Sequence, residues 1–249
     1  MNIYEYFGKA YFINLTTDDK KKQHFEKQKN HSDFISKKCT RYSAVFGETL
    51  DIRIIPQHII SSRAKKDIMS QAQKVYGISL TYGSLACALS HYLIYEECAK
   101  NDKPYLIFED DAILKDNFDN KLQSIVDSAI EYDNNYDIIY LGYNNIPGFK
   151  KNIINQHISK PSGLITGLYG YIVSHTGAQK LLDIIFPLEQ QIDSSISNNI
   201  EHFSLLCATN SMIDVRLDFG SRTQQKTSCN NIHNKNLNTQ DDAWLKLFS

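Results

Sequence analysis

The chain has 249 residues, which is enough for one large domain or two small ones. Hydrophobic residues make up 42% and charged residues 22%, as is usual for a soluble globular protein that needs no disulfide bonds. The 27 basic and 28 acidic residues nearly cancel, which argues against nucleic acid as a partner. No internal repeat and no linker rich in proline, glycine or serine interrupts the sequence, so we expect a single domain over residues 1–249.

Cysteine usage and hydropathy bear on the compartment. The five cysteines are odd in number and none stands at CxxC spacing, which argues against a structural zinc site and a secreted disulfide framework. Residues 1–6 do not resemble a signal peptide, and no apolar run approaches the roughly 20 residues of a spanning helix. We therefore expect a cytoplasmic protein, with the inner face of the membrane as a second location. The apolar tail at 243–248 is expected to pack on the domain; the alternative is peripheral contact with a membrane carrying a lipid-linked acceptor.

Helical and strand-like patterns alternate along the chain. Short apolar runs indicate buried strands, and apolar residues at helical spacing indicate amphipathic helices. In chain order, the patterns predict a strand at 10–15, a helix at 20–29, a strand at 40–45, a mostly helical stretch at 56–76, a helix at 85–99, a strand at 105–108, a helix at 118–132, a strand at 137–142, a β-like stretch at 164–174, a helix at 175–186 and a last strand within 205–215. This alternation predicts an α/β fold with a largely parallel sheet flanked by helices.

Three consecutive acids, Glu109, Asp110 and Asp111, follow the strand at 105–108 directly. Ligands of open α/β sheets gather beyond the carboxyl ends of the strands, and three adjacent carboxylates repel one another unless a cation neutralises them. Hard oxygen ligands suit Mn²⁺ or Mg²⁺, and Glu109 and Asp111 would lie on the same face of an extended strand. The alternative is that the acids only begin a loop or cap the next helix.

Several segments together resemble glycosyltransferase family 25, which includes bacterial lipooligosaccharide glycosyltransferases and collagen-type galactosyltransferases. The segments that carry the resemblance are Tyr11-Phe12-Ile13-Asn14-Leu15, Arg41-Tyr42-Ser43-Ala44-Val45-Phe46-Gly47, Leu85-Ala86-Cys87-Ala88-Leu89-Ser90-His91, Leu106-Ile107-Phe108-Glu109-Asp110-Asp111, Asp137-Ile138-Ile139-Tyr140-Leu141-Gly142, and Gly170-Tyr171-Ile172-Val173-Ser174 followed by Gly177-Ala178. The chain departs from the family at Ala86, where glycine is usual, and near Ser84, where a glutamate is usual.

The resemblance implies a GT-A type fold, a UDP-sugar donor, Mn²⁺ or Mg²⁺ at the acidic triplet and inverting transfer of a sugar, most often galactose. The acceptor would be an oligosaccharide or lipid-linked saccharide of a surface glycan such as lipooligosaccharide. The part at about 10–195 would bind the nucleotide-sugar and metal, and the part at about 196–249, where the resemblance is weak, would face the acceptor.

The same resemblance supplies candidate residues. Asp111 and Glu109 are the predicted metal ligands, and the predicted donor-binding residues are Asn14, Leu15, Ser90, His91, Glu109, Asp110, Gly170 and Tyr171. Each has a simpler alternative: His91, one turn after Cys87, could be a structural histidine, Asn14 a polar strand end, and Gly170 with Tyr171 part of a bent strand.

Inverting transfer also calls for a base that is not a metal ligand, because a carboxylate near the acceptor hydroxyl can accept its proton. Asp193, after the glycine-rich strand and its helix, is the predicted base, and helix capping is its alternative role. Two other functions stay open at this point: a metal-dependent phosphohydrolase or nucleotidyltransferase, and a non-catalytic carbohydrate-binding relative.

Overall fold

The computed structural model describes residues 2–70, 74–75, 77–144 and 146–220. The predicted tail at 243–248 lies outside these residues. The strands are β1 Lys9–Asn14, β2 Cys39–Ser43, β3 Tyr105–Glu109, β4 Ala112–Leu114, β5 Ile138–Asn144, β6 Lys151–Ile153, β7 Ile158–Pro161, β8 Thr166–Val173, β9 Leu205–Ala208 and β10 Ile213–Val215. The α-helices are α1 Ile3–Tyr6, α2 Asp19–Gln28, α3 Asp33–Lys38, α4 Ser62–Met69, α5 Tyr82–Ala99, α6 Phe118–Tyr132, α7 His175–Ile185 and α8 Ile192–Asn198.

Eight of the strands form one sheet in the order β2-β1-β3-β8-β5-β9-β7-β6. The pairs β1–β2, β1–β3 and β5–β9 are parallel and the other four pairs are antiparallel. Six strands therefore run in one direction, while β7 and β8 run in the other. The expected α/β, GT-A type fold is confirmed.

Successive side chains along a strand point to opposite sides of the sheet. Because the central strands are apolar at nearly every position, both faces of the sheet are apolar. Phe12 and Phe108 join one buried cluster with residues of α2, α3 and α6, such as Phe25 and Phe118. Tyr11 and Ile13, which alternate with Phe12 along β1, join the other cluster, with residues of α5 and α7. Helices thus cover both faces, and the strands read as near-continuous apolar runs for that reason.

Several regions differ from the sequence predictions, including the short helices α1, α3 and α8, which were not predicted. The stretch at 56–76 is helical only at Ser62–Met69 among its described residues. The predicted last strand divides into β9 and β10, which belong to two different sheets. The strands β4, β6 and β7 were not predicted, because three or four residues are too few to show a periodicity.

Strands β4 and β10 form a separate antiparallel ribbon at the end of the main sheet. Ile213 of this ribbon packs so closely on the sheet that an added Cβ at Gly142 would lie 2.8 Å from the Ile213 Cβ. An added Cβ at Gly170 would lie 2.2 Å from the Ile213 Cδ1 and 2.9 Å from the Phe108 Cδ1. The two glycines therefore let the ribbon sit against the sheet, directly after the acidic triplet.

Within the part of the chain that the structure describes, no helix is both long and apolar enough to cross a membrane.

Candidate active site

A cleft of about 700 Å³ lies where β1 and β3 end, bounded on other sides by the start of β8 and by α8. Eight of the ten candidate residues line it: Asn14, Leu15, Ser90, His91, Glu109, Asp110, Asp111 and Asp193. Gly170 and Tyr171 do not line it. A volume of this size accommodates a small-molecule or cofactor ligand.

Glu109 is the last residue of β3, and Asp110 and Asp111 form the turn to β4, which begins at Ala112. The backbone N–H of Arg216, just after β10, donates to the Asp111 carbonyl at 2.9 Å and ties the turn to the ribbon. The Asn14 side-chain amide donates to Asp110 Oδ2 at 2.8 Å, and Arg41 Nε donates to Asn14 Oδ1 at 2.9 Å. Asn14 is therefore held from both sides and fixes one carboxylate of the triplet.

Lys21 of α2 binds the triplet directly, with its Nζ 3.1 Å from Asp110 Oδ1 and 3.0 Å from Asp111 Oδ2. Helix α2 is fixed against β4, because His24 Nε2 lies 3.0 Å from the Ala112 carbonyl oxygen. The ammonium group neutralises part of the negative charge that three adjacent carboxylates create.

The negative charge that Lys21 leaves uncompensated contributes to the raised pKa values of the carboxyl groups in the triplet. Burial, and next the charge of Asp111, raise the pKa of Glu109 well above its usual value. Burial also raises the pKa of Asp110, although Lys21 and the Asn14 hydrogen bond oppose the shift. Asp111 Oδ1 is buried and has no hydrogen-bond partner among the described atoms. Asp111 Oδ1 is thus an unpaired buried oxygen within the described part of the chain, and the charge of Asp111 repels the neighbouring Glu109 carboxylate. A divalent cation bound here would stabilise both carboxylates in their charged form.

His91, in the cleft wall, and Tyr171, behind it, form a buried polar pair. His91 Nδ1 lies 2.7 Å from the Tyr171 hydroxyl, which lies 2.8 Å from the Tyr95 hydroxyl. Burial lowers the pKa of His91 to about 3, so the imidazole is neutral at physiological pH. The structure thus places Tyr171 as a partner of His91, and Gly170 as a packing position against Phe108 and Ile213, rather than on the cleft surface.

Ser90 holds a loop along the cleft. Its Oγ accepts the Val45 N–H at 2.9 Å and donates to the Ala86 carbonyl at 2.8 Å. Val45, Phe46 and the loop that follows β2 therefore border the cleft.

Asp193 lies in the first turn of α8, two residues after the cap position Gln191. Its Oδ2 accepts the Gly167 N–H at 3.2 Å, and its Oδ1 accepts the Ser194 N–H at 2.8 Å. Gly167 has a φ of +88°, a conformation that favours glycine, and this turns its N–H toward the carboxylate. Burial raises the pKa of Asp193 above its ordinary value, although these hydrogen bonds oppose the shift.

Comparison with known proteins decides the family. The model of glycosyltransferase family 25 (LPS biosynthesis protein) matches residues 7–196. This chain belongs to glycosyltransferase family 25. The matched range contains all ten candidate residues, whereas β10 and Arg216, which hold the acidic turn, lie beyond it.

The curated relatives include proteins named as inactive members of family 25 and proteins named as galactosyltransferases. The chain is 32% identical over 146 residues to a rat protein named "Probable inactive glycosyltransferase 25 family member 3", covering 56% of this chain and 24% of the relative. It is 28% identical over 150 residues to "Procollagen galactosyltransferase 1-A" of Xenopus laevis, covering 56% and 23%. It is 27% identical over 222 residues to "Procollagen lysyl hydroxylase and glycosyltransferase" of Acanthamoeba polyphaga mimivirus, covering 83% and 24%. The chain thus spans about a quarter of the length of these relatives.

Two contributors to this family 25 cleft were not among the predicted residues. Lys21 is one of three consecutive lysines on a polar helix, so nothing in the sequence distinguishes it from its neighbours. Arg41 lies within a segment that resembles the family, but its contact with Asn14 depends on the parallel pairing of β1 with β2.

Proposed function

We propose that this glycosyltransferase family 25 chain transfers a galactosyl group, with inversion, from UDP-galactose to a hydroxyl group of a saccharide acceptor. The observation that carries the proposal is one cleft that holds both an acidic triplet with an unpaired oxygen and a separate buried carboxylate, Asp193. A metal-dependent transferase needs both parts: a cation site for the leaving diphosphate and a base for the acceptor.

Asp111 and Glu109 would hold the divalent cation, Mn²⁺ or Mg²⁺. The chemistry of these residues fits a hard cation, because their oxygens are partly buried, mutually repelling and, at Asp111 Oδ1, without a partner among the described atoms. When bound, the cation would neutralise charge on the diphosphate. Asn14 fixes Asp110, while Leu15 and Ser90 border the same part of the cleft, where the nucleotide would bind.

Asp193 would accept the proton of the acceptor hydroxyl. As the acceptor oxygen bonds to the anomeric carbon, the bond from that carbon to the diphosphate oxygen breaks, and the hydroxyl proton passes to the Asp193 carboxylate. A pKa raised by burial makes this carboxylate a better proton acceptor near neutral pH. The hydrogen bond from the Gly167 N–H orients it without neutralising it.

The names of the relatives support galactose as the transferred sugar, but they do not identify the acceptor of this chain. Two relatives are named procollagen galactosyltransferases, and the family description refers to LPS biosynthesis. We propose an oligosaccharide or lipid-linked saccharide acceptor of a surface glycan, reached by a cytoplasmic protein at the inner face of the membrane.

A non-catalytic carbohydrate-binding protein is the second candidate, for two reasons. Several relatives are named inactive, and Lys21 already pairs with Asp110 and Asp111 where a cation would act. Family membership favours glycosyl transfer over the phosphohydrolase or nucleotidyltransferase alternative.

A transfer assay separates these functions. UDP-galactose, UDP-glucose and UDP-N-acetylglucosamine would each be incubated with the protein, Mn²⁺ or EDTA, and a panel of saccharide acceptors, and both UDP and glycosylated product would be measured. We expect Mn²⁺-dependent product from UDP-galactose. UDP release that forms only free sugar would indicate hydrolysis, and donor binding without UDP release would indicate the non-catalytic candidate.

A further inference from the structure

A second group of potential metal ligands lies in the wall of the cleft. Among the described residues, the Cys87 thiol, the His91 imidazole and the Glu109 carboxylate place one ligand atom each within 4.8 Å of one another. Cys87 and His91 are four residues apart on α5, so they lie on one face of the helix, and Glu109 is the last residue of β3. A regular helix and a central strand therefore bring three different ligand types together.

His91 shows that this cluster is more than a chance grouping. The side chain is fully buried, and its Nε2 has no hydrogen-bond partner among the described atoms. Glu109 Oε1 is 4.0 Å away, too far for a hydrogen bond. Leaving a buried nitrogen unpaired costs free energy, so the position calls for a partner that the protein chain does not supply here.

The other ring nitrogen is already oriented. His91 Nδ1 lies 2.7 Å from the Tyr171 hydroxyl, and Tyr171 is held in turn by Tyr95 at 2.8 Å. In the tautomer whose Nδ1–H donates to Tyr171, the Nε2 lone pair points away from this bond and is free for a cation. Metal-ligating histidines commonly donate their second ring N–H to an oxygen in this way.

We propose that Cys87, His91 and Glu109 form a binding site for Zn²⁺, with a fourth coordination position open to water or to an oxygen of a ligand in the cleft. All three residues line the cleft. Sulfur, imidazole and carboxylate ligands together suit Zn²⁺ better than Mg²⁺ or Mn²⁺, and three protein ligands with an open position are the arrangement of catalytic zinc sites.

The three ligand atoms need to move only slightly closer together to bind zinc. Ligand atoms of a tetrahedral zinc ion are separated by about 3.4–3.7 Å, given bond lengths of about 2.0–2.3 Å. The atoms here are at most 4.8 Å apart, so side-chain movements of roughly 1 Å would close the site. On binding, the Cys87 thiol would release its proton to solvent, because the thiolate is the ligand.

This inference goes beyond the proposed function and does not rest on it. The proposed Mn²⁺ or Mg²⁺ site uses the oxygens of Asp111 and Glu109, whereas the zinc site adds sulfur and nitrogen and shares only Glu109. It also differs from the four-ligand structural zinc site against which the cysteine spacing argues.

Cobalt spectroscopy tests the site, because a thiolate bound to Co²⁺ gives a charge-transfer absorption band. The full chain would be titrated with Co²⁺ and then with Zn²⁺. We expect the band in wild type and in the control Cys98→Ser, which changes a buried cysteine of the same helix. The Cys87→Ala variant should lack the band and bind Zn²⁺ more weakly by about tenfold or more. The same band in Cys87→Ala, or no band in wild type, would overturn the proposal.

A second measurement needs no variant. Alkylation of Cys87 by iodoacetamide, mapped by mass spectrometry, should be slowed by Zn²⁺ and unaffected by Mg²⁺. Equal alkylation rates with and without Zn²⁺ would contradict the site. Neither result changes the expected transfer of sugar in Mn²⁺, so failure of the zinc site and failure of the proposed function are distinguishable.

Discussion

The two carboxylate positions that we propose to act in the cleft are built in different ways. The acidic triplet continues β3, which pairs in parallel with β1 inside the main sheet, so that Ile13 lies opposite Glu109. Asp193 stands on the short helix α8 and is joined to the sheet by the N–H of Gly167, at the start of β8. The first position is fixed by the end of a central strand, and the second by α8 and the hydrogen bonds that Asp193 accepts from Gly167 and Ser194.

This difference separates two kinds of function. A cation site needs several ligands held at fixed distances, which the ends of adjacent central strands supply. A base requires one carboxylate beside the acceptor hydroxyl, and a helix packed against the sheet can supply it. We therefore expect changes at Asp193 to affect catalysis alone, and changes near the triplet to affect binding and stability as well.

The largest effect is expected at Asp193. Asp193→Asn should retain Mn²⁺ and donor binding but lose roughly 10²–10⁴-fold in kcat, because the amide cannot accept the proton. The measurement is steady-state transfer with the donor and acceptor found in the assay above. Asp183→Asn, an exposed change on α7, is the matched control and should be neutral. If Asp193→Asn kept the wild-type kcat, the base would be a residue other than Asp193.

Gly170 tests whether the sheet beside the acidic triplet depends on close packing. Gly170→Ala should cost about 1–3 kcal/mol of stability, because the new Cβ would overlap Ile213 and crowd Phe108. Chemical denaturation measures this loss, and the donor KM of the folded protein should stay near the wild-type value. Unchanged stability together with weaker donor binding would show that Gly170 acts on the sugar instead.

Lys21 tests the charge balance of the triplet. Lys21→Met should strengthen Mn²⁺ binding by about tenfold, since the lysine competes with the cation for Asp110 and Asp111. Isothermal titration with Mn²⁺ measures the change, with Lys27→Met, an exposed change on the same helix, as the control. Weaker Mn²⁺ binding in Lys21→Met would mean that the lysine supports the cation site.

The smallest effect concerns pH. The pKa of Glu109 is raised from 4.5 to about 8, so between these values the folded protein holds a proton that the unfolded chain has lost. Stability of the metal-free protein should therefore fall as pH rises through this window. Across this pH window the Tm of Glu109→Gln should fall by about 2–4 °C less than the Tm of wild type. The exposed control Glu131→Gln should show the same fall as wild type. An equally steep fall in Glu109→Gln would assign the pH dependence to other groups.

The sequence predicts the surroundings of the acidic triplet better than those of Asp193, for a physical reason. Apolar runs mark β1 and β3, and Asn14 and the acidic triplet stand at the ends of these runs, so both fall at the same end of the sheet. The pairing of Lys21 with Asp111 joins residues 90 positions apart, and the hydrogen bond from Gly167 to Asp193 joins the start of β8 to the first turn of α8. Such contacts depend on how the layers pack, which periodicity does not encode. The burial of Tyr171 was missed for the same reason, since its hydroxyl looks polar in sequence yet bonds to His91 inside the core.

Mn²⁺-dependent binding of UDP-galactose tests the central claim most directly. Thermal unfolding would be followed for wild type, Asp111→Asn and the exposed control Asp116→Asn, with and without Mn²⁺ and donor. A ligand at 100 times its Kd stabilises the folded state by about 2.7 kcal/mol. We predict this stabilisation in wild type and Asp116→Asn only when Mn²⁺ and UDP-galactose are both present, and its loss in a folded Asp111→Asn. Equal Mn²⁺-dependent stabilisation of Asp111→Asn would contradict a metal site at the acidic triplet.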